Sequence, residues 1–538
     1  MIEQTQKNKL RKIHFLPVFL SSCFTSLAFS VFKLDWLIWI SLVPFFYTLF
    51  KYKINPKTGF LISLFWSMVF YLGTLTWMFK LYPLTWMNFT EFQSMVVIGG
   101  GWFVFSLIEA LGLGFVGFFT SLINPHGYKR LIVPTSLWII IEWFQGIGGW
   151  GFTWGRLGNS QFQNLPIIQS VNLFGTLFIS ALILLVNISI ALTILENEKH
   201  IPQFSLKRGA TGKIRYMIPV ILIFVLNLIY GYYILNTKTD NEKSVKTAII
   251  QGNIASDQKW KPGMLEKMLK TYLDLSYDAA KEKPDFIVWP ETAIPVPIQD
   301  VSAHFILSEY KKLTAITNTY LITGTFDDKV NPDGSRISYN SMMTLNPKGE
   351  ILGFYYKRHL VPFGEYLPFK EIIKAISPSL TGINQAKSPI TPGILPEIVT
   401  TPFGNIGGFI CFESIIPKII RSSVNAKAEL LVVITNDSWF KDSTGVYQHN
   451  GQSVLRAVES DRYVVRAANT GISSFISPKG EILKSLPALE KGYITENIKF
   501  RNNLTLYTKI GDIIVPFALI LLLGIFIIEK NKIRISVN

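Results

Sequence analysis

The chain alternates between two textures of hydrophobic and polar positions. Through its first half, apolar side chains come in nearly unbroken blocks, near 14–31, 35–50, 58–79, 95–121, 131–145, 166–194 and 216–235. A further block, "IGDIIVPFALILLLGIFII", stands alone close to the C-terminus. A hydrocarbon core is crossed by about 20 apolar residues in a helix, so the pattern predicts eight spans, those at 35–50 and 131–145 being short. Between Lys246 and Ile498 the period changes. Short β-rich runs such as "VKTAIIQGN", "DFIVWPETA", "TYLITGTF", "SMMTLNPKGEILGFYYKR", "IGGFICFES" and "AELLVVITNDSWF" are bounded by polar, Gly and Pro residues, as strands are. Helical spacing joins Leu265, Met268, Leu269, Tyr272, Leu273 and Tyr277, and again Leu455 and Val458.

The expected organisation is a membrane domain over 1–240 with seven helices, an α/β domain over 241–505, and a C-terminal transmembrane helix with a cytoplasmic tail over 506–538. The α/β part is long enough to bury its own core. Charge sets the orientation. Lys7, Lys9, Arg11 and Lys12 precede the first block, Lys51, Lys53 and Lys57 follow the second, Lys129 and Arg130 the fourth, and Lys199, Lys207, Arg208, Lys213 and Arg215 the sixth. The loops after the third and fifth carry little positive charge, so both termini are expected in the cytoplasm and the α/β domain on the opposite face.

Composition supports the membrane reading, with 49% hydrophobic and 14% aromatic residues and a mean hydropathy of +0.32. The net charge of +16 points to a membrane surface rather than nucleic acid, because Lys and Arg flank apolar blocks and no basic-aromatic module interrupts them. Two cysteines, Cys23 and Cys411, are too few for a disulfide framework or a cysteine zinc site. "KNKLRKIHFLPVFLSSC" has the look of a lipoprotein signal ending at Cys23, but the apolar run continues through "FTSLAFSVF". A retained helix with Cys23 buried in it is the expectation.

Three strand ends in the α/β region carry reactive groups: Glu291 after "DFIVWP", Lys357 after "GFYY" and Cys411 after "GGFI". Singly, each has an ordinary reading, a solvated charge or a small core residue. Together they form a chemical unit. A thiol of pKa about 8.5 is a poor nucleophile until a base takes its proton or a cation stabilises the thiolate. A carboxylate supplies the first and an ammonium the second, and the same ammonium can hold the oxyanion formed when sulfur attacks a carbonyl.

"WPETAIP", "YYKRHLVPFGEYLP" and "GFICFES", in this order, resemble the Glu-Lys-Cys motifs of the nitrilase superfamily, whose domain is an α-β-β-α sandwich. With the apolar blocks, "GGWGFTWGRLGNSQ", "QGNIASDQKW" and "TNDSWFKDSTGVYQHNGQSVLRAVESDRYVVRAANTGISSFISPKGEI", the whole chain resembles the apolipoprotein N-acyltransferase family. The resemblance implies a polytopic α-helical membrane domain joined to an α/β nitrilase-like domain, in a bacterial inner membrane, with the catalytic domain on the periplasmic side. It implies a ping-pong acyl transfer in which Glu291 is the base, Cys411 the nucleophile and Lys357 the stabilising cation. A phospholipid, phosphatidylethanolamine cut at sn-1, would donate the chain, and the α-amine of diacylglyceryl-cysteine on an apolipoprotein would receive it, the last step of lipoprotein maturation. No cofactor or metal is implied, and the chain would act as a monomer. Trp260, Asn340, Glu365 and Glu413 are carried over as substrate-binding or supporting residues. A tyrosine common after the cysteine is here Phe412, leaving packing but no hydroxyl.

Glu365 has a plainer reading as a partner of Arg358, and Trp260 as an interface aromatic. Glu142, within a block and close to Arg156, is a functional candidate, or an acid near enough to an interface to stay hydrated. "SPSLTGINQAKSPITPGILP" and "DSTGVYQHN" read as mobile segments that could gate lipid entry. The glycines before Cys411 are expected to clear backbone from the path of a lipid carbonyl. Two other functions stay open: a membrane-tethered nitrilase-type amidase or hydrolase, and a catalytically inactive membrane binding module.

Overall fold

A computed structural model describes residues 2–537 apart from 53, 86–88, 150, 199–213, 238–243, 260, 331–332, 363 and 367–389. Among the described residues, three helices are long and apolar enough to cross a membrane: Glu91–Ile123, Thr176–Glu198 and Met217–Asn236. Helices Ile2–Leu27, Pro56–Thr74, Lys129–Phe144 and Ile514–Val537 lie where other apolar blocks were expected to span. Cys23, on the first of these, is half-buried rather than buried.

Two expected spans are broken. The block at 35–50 divides into a turn Asp35–Leu37 and helices Ile38–Ser41 and Val43–Lys51. Pro44 in the first turn of the last of these has no N–H to continue a ladder. Asn187 fills the gap, its Oδ1 accepting from Leu42 N (2.9 Å) and its Nδ2 donating to Ile38 O (2.9 Å). The block at 166–194 breaks at Gly175, whose φ of +75° and close approach to the Tyr507 ring only glycine tolerates. Helices Pro56–Thr74 and Glu91–Ile123 meet backbone to backbone at Gly59 and Gly117, the small-residue contact by which apolar helices associate without a hydrophobic driving force.

The α/β region holds twelve strands: β1 (Ser244–Gln251), β2 (Phe286–Val288), β3 (Tyr320–Val330), β4 (Arg336–Leu345), β5 (Ile351–Tyr356), β6 (Ile398–Thr401), β7 (Gly404–Ile410), β8 (Leu430–Thr435), β9 (Val464–Ala468), β10 (Ser473–Ile476), β11 (Ile482–Leu486) and β12 (Gly492–Lys499). They form two sheets of six, ordered β12-β1-β2-β3-β4-β5 and β11-β10-β9-β8-β7-β6. The pairs β1/β2, β2/β3, β7/β8 and β8/β9 are parallel and the others antiparallel.

The period-two alternation of strands explains the layers. Ile249, Val288, Ile322 and Met342 of one sheet meet Ile410, Val432, Ile434 and Val465 of the other. On the opposite face of the first sheet, Ala248, Ile250, Ile287 and Leu321 pack with Met268, Tyr272, Ile306 and Leu313 of helices Met264–Ala280 and Val301–Thr317. On the outer face of the second, Phe409, Leu431 and Val433 pack with Ile420, Val424, Val454 and Leu455 of helices Pro417–Asn425 and Thr444–Ser460. This is the expected α-β-β-α sandwich. That last core continues into the membrane helices through Ile168, Val171 and Leu177. At the seam, buried Glu459 accepts from Thr176 Oγ1 (2.6 Å) and Arg456 Nη2 (2.7 Å).

Candidate active site

Each of the three reactive residues leaves a strand as expected. Parallel pairing of β2 with β3 persists beyond Val288, with Trp289 N donating to Ile322 O (2.8 Å) and Gly324 N to Pro290 O (3.2 Å), and it delivers Glu291 at the edge of the sandwich. A Cβ on Gly324 would lie 2.5 Å from Thr292 N and 2.7 Å from Glu291 Cα, so β3 can reach the acid's turn only through a glycine. Gly324→Ala is therefore expected to displace Glu291, lowering stability by about 1–3 kcal/mol and acyl transfer with it, measurable as a fall in Tm and in turnover of the purified variant.

Lys357 follows β5, its N–H donating to Asn340 O (2.9 Å) and its carbonyl accepting from Gly393 N (2.8 Å). Cys411 follows β7 and starts the tight turn Cys411–Ile415 with φ +53°, a left-handed conformation that costs a non-glycine residue about 1 kcal/mol or more. The preceding glycines serve packing rather than access. A Cβ on Gly407 would meet Ala428 at 2.7 Å, and one on Gly408 would meet Tyr355 at 2.9 Å. This replaces the expectation that they clear a path for a lipid carbonyl.

The side chains converge. Lys357 Nζ lies 2.8 Å from Glu365 Oε2 and 3.5 Å from Glu291 Oε1, and Lys357 is 1% exposed. Asn340 Nδ2 donates to both acids, at 2.9 Å to Glu291 Oε1 and 3.1 Å to Glu365 Oε1. Asn436 N donates to Glu291 Oε2 (3.0 Å) and Val361 N to Glu365 Oε2 (2.9 Å). Glu365 thus holds the lysine. Arg358, its simpler candidate partner, turns away to Ser422, Ser423 and Ile419 O.

Electrostatics assigns the resting protons. Burial pushes the Cys411 thiol up, and Glu291 adds to that push while Lys357 opposes it. Burial alone would lower Lys357, but Glu365 and then Glu291 hold it above its ordinary value. The resting centre is a thiol beside an ammonium. Moving the proton from Cys411 to Glu291 carries the negative charge from carboxylate to sulfur while keeping it beside the same cation.

Glu413 has no exposed surface and accepts from four donors: Ile410 N (2.8 Å), Arg358 N (2.6 Å), His359 N (3.1 Å) and Tyr355 OH (2.9 Å). It fastens the chain after Lys357 to the turn at Cys411. Phe412 packs face to face with Phe152 (5.9 Å between centroids) and with His359 (5.8 Å), so a membrane-side loop supports the nucleophile's neighbour without any hydroxyl. Burial, then Lys357, pushes His359 down to about 4.

Trp260 lies outside the described residues, as does most of the segment "SPSLTGINQAKSPITPGILP". The other expected mobile segment, 442–450, is ordered. Ser443 Oγ caps helix Thr444–Ser460 by accepting from Gly445 N (3.2 Å), Asp442 pairs with Lys80 (2.7 Å), and Gly445 packs on Phe440 and Trp77. Glu142 is 1% exposed rather than hydrated, and its Oε1 accepts from Trp138 Nε1 (3.0 Å) and Leu157 N (2.9 Å).

Behind the nucleophile is a cluster the sequence reading did not find. His449 Nδ1 lies 2.8 Å from Asp437 Oδ1, and its Nε2 3.0 Å from Ser414 Oγ and 3.2 Å from Cys411 O. Arg466 Nη2 donates to Asp437 Oδ2 (2.8 Å). Against burial, His449 and Arg466 hold the Asp437 carboxyl well below the usual carboxylate range. Burial and Arg466 lower His449. Ser414 Oγ donates to Cys411 O (2.9 Å) and lies beside His449 Nε2, which ties the cysteine's turn to helix Thr444–Ser460. "TNDSW" contains Asp437 and "YQHN" contains His449, but only the fold brings them together with Ser414 and Arg466 under Cys411.

The carbon-nitrogen hydrolase family model matches residues 246–502, and that of the apolipoprotein N-acyltransferase N-terminal domain matches residues 21–189. Over its length the chain is similar to proteins named apolipoprotein N-acyltransferase. The one from Geobacter metallireducens is 30% identical, covering 93% of this chain and 92% of that protein. One from Gloeobacter violaceus is 28% identical over 91% and 89%, and one from Shewanella oneidensis 28% over 98% of each. Among solved structures, the C. elegans NitFhit protein matches with a TM-score of 0.37 at 19% identity, covering 48% of this chain and 61% of that one. An amidase from Nesterenkonia matches with a TM-score of 0.37 at 17% identity, over 49% and 94%.

Proposed function

The chain belongs to the apolipoprotein N-acyltransferase family, and on that premise we propose that it moves an acyl chain from a phospholipid to the α-amine of a diacylglyceryl-cysteine through a thioester on Cys411. The observation that carries this reading is the placement of Lys357 Nζ between Glu365 at 2.8 Å and Glu291 at 3.5 Å, with Cys411 within the electrostatic reach of both Glu291 and Lys357.

In the first half-reaction Glu291 takes the thiol proton and sulfur attacks the ester carbonyl carbon. The oxyanion forms against the Lys357 ammonium, which Glu365 and Asn340 hold in place, so little reorganisation is needed as charge develops. Collapse breaks the acyl C–O bond, and Glu291 returns its proton to the departing lysophospholipid alkoxide. In the second, the neutral lipoprotein amine attacks the thioester, Glu291 takes the amine proton, the C–S bond breaks with the thiolate leaving toward Lys357, and Glu291 passes that proton to the sulfur, restoring the resting thiol. The product amide is more stable than the thioester, so the transfer runs downhill.

Phosphatidylethanolamine is the proposed donor. Both substrates keep their chains in the bilayer, because drawing a lipid into water costs about 0.8 kcal/mol per CH₂. This favours the division into a membrane domain over 1–240, a catalytic domain over 241–505 and a last helix and tail over 506–538, in the inner membrane of a bacterium, multi-pass, monomeric, with the catalytic domain on the periplasmic side.

The test supplies purified protein with acyl-labelled phosphatidylethanolamine and a synthetic diacylglyceryl lipopeptide with a free amino terminus. The expected product carries the label in an amide on that terminus, with one lysophospholipid per transfer and no product from an N-acetylated peptide. Label released only as free fatty acid would overturn the reading in favour of a hydrolase, and no turnover would favour a binding module.

A further inference from the structure

Lys259 closes the turn Ser256–Lys259 and is 3% exposed. Its Nζ donates to Thr292 Oγ1 (2.8 Å) and to the carbonyl of Glu291 (3.3 Å), and among the described residues no carboxylate forms an ion pair with it. An ammonium taken out of water and given only neutral acceptors is costly, so a fold that keeps one has a use for its charge. The ionised group that acts on Lys259 is Glu291.

The two lysines therefore reach the acid at different atoms, Lys357 at the carboxyl group and Lys259 at the main chain. Lys259 also grips Thr292, which sits at φ +43°, a strained position that surrounding contacts must hold. The same segment is tied to the site a second time, with Asn436 Nδ2 donating to Ser256 Oγ (2.9 Å) while Asn436 N donates to Glu291 Oε2 (3.0 Å).

We propose that Lys259 is a positioning residue for acyl transfer, fixing the Glu291–Thr292 turn from behind and supplying the second positive charge that keeps Glu291 ionised as the base when Lys357 turns to the sulfur. Burial pushes Lys259 down to about 8, with Glu291 pulling the other way. The charged groups around the pair are Glu291, Lys357 and Glu365, with Cys411 as the titrating partner. The inference rests on the acyl-transfer reading.

The experiment follows thioester formation by the full-length protein in phosphatidylethanolamine–detergent micelles, in single turnover, as a function of pH. Glu291 acts as base only when ionised, so the rate rises with pH through an acid limb. Loss of a nearby cation favours the protonated acid and moves that limb upward. For Lys259→Gln, which can still donate to Thr292, and for Lys259→Met, the limb is expected to rise by about one pH unit, making acylation about tenfold slower below it and much less so above it. Lys259→Arg is expected to keep the limb of the wild type. Thr292→Val, which removes an acceptor but no charge, is expected to slow acylation about fivefold with the limb unmoved.

Lys259→Gln with an unmoved limb, a loss equal at every pH, or an Arg variant displaced as far as Gln would overturn the proposal. A wild-type rate for Thr292→Val would overturn its positioning half even if the neutral variants fail to fold. A wild type that forms no thioester at all would instead overturn the acyl-transfer reading, and the inference with it.

Discussion

Replacing Cys411 by alanine is expected to remove both half-reactions, leaving neither an acyl adduct on the protein nor an N-acylated peptide. The loss should be about 10³-fold or more, since no other described group can take the covalent role. Stability should change little, because one half-buried sulfur is lost and the strained φ of +53° is retained. Serine should do hardly better than alanine. Its hydroxyl gives up a proton far less readily to Glu291, and an ester would acylate an amine more slowly than a thioester. Labelled-lipid transfer, read beside Tm for each variant, checks both halves of the expectation.

Lys357→Met is expected to cost acyl transfer about 10³-fold and, unlike the cysteine variants, to lower stability by about 3–5 kcal/mol. Lys357 is the cation between buried Glu291 and half-buried Glu365, which both accept from Asn340 Nδ2, at 2.9 Å and 3.1 Å. Without it, two acids that share one amide donor remain together with no cation between them. Lys357→Arg should rescue little, because a planar fork replaces a point charge at a buried position between Glu291 and Glu365. Glu365→Gln, which leaves Lys357 one acid and a hydrogen-bonding amide, should be the milder change. Denaturation midpoints in a fixed detergent, compared with initial transfer rates, separate the stability loss from the catalytic one.

These residues were legible in the sequence for a physical reason. A buried strand declares itself by an apolar run, and its end is where a charged or thiol side chain can leave the core, so Glu291, Lys357 and Cys411 stood out beside "DFIVWP", "GFYY" and "GGFI". The sandwich was legible for the same reason, since "AELLVVIT" can be buried on both faces only if layers cover both.

What the sequence hid was long-range. Nothing near Leu42 signals that Asn187, from another helix, will take the N–H freed at a broken span. "DSTGVYQHN" has the composition of a loop, yet its serine is a helix cap and its glycine a contact point against Trp77. The two glycines before Cys411 had a plausible local role, but their hydrogens face Ala428 and Tyr355, which arrive from elsewhere in the chain. Lys259 and His449 were visible only as members of motifs, because a lysine or a histidine acquires its chemistry from the groups that surround it after folding.

If one acyl chain passes through Cys411, an adduct chase will show it on the protein and then on the peptide. The protein is incubated with labelled phosphatidylethanolamine, stripped of free lipid, checked by intact mass, and then given the diacylglyceryl lipopeptide alone. The expected result is a hydroxylamine-labile acyl group that maps to Cys411 and moves to the peptide amine in a one-to-one yield, restoring the unmodified mass. An adduct that persists through the chase, or peptide acylation that requires phospholipid to be present at the same time, would contradict it.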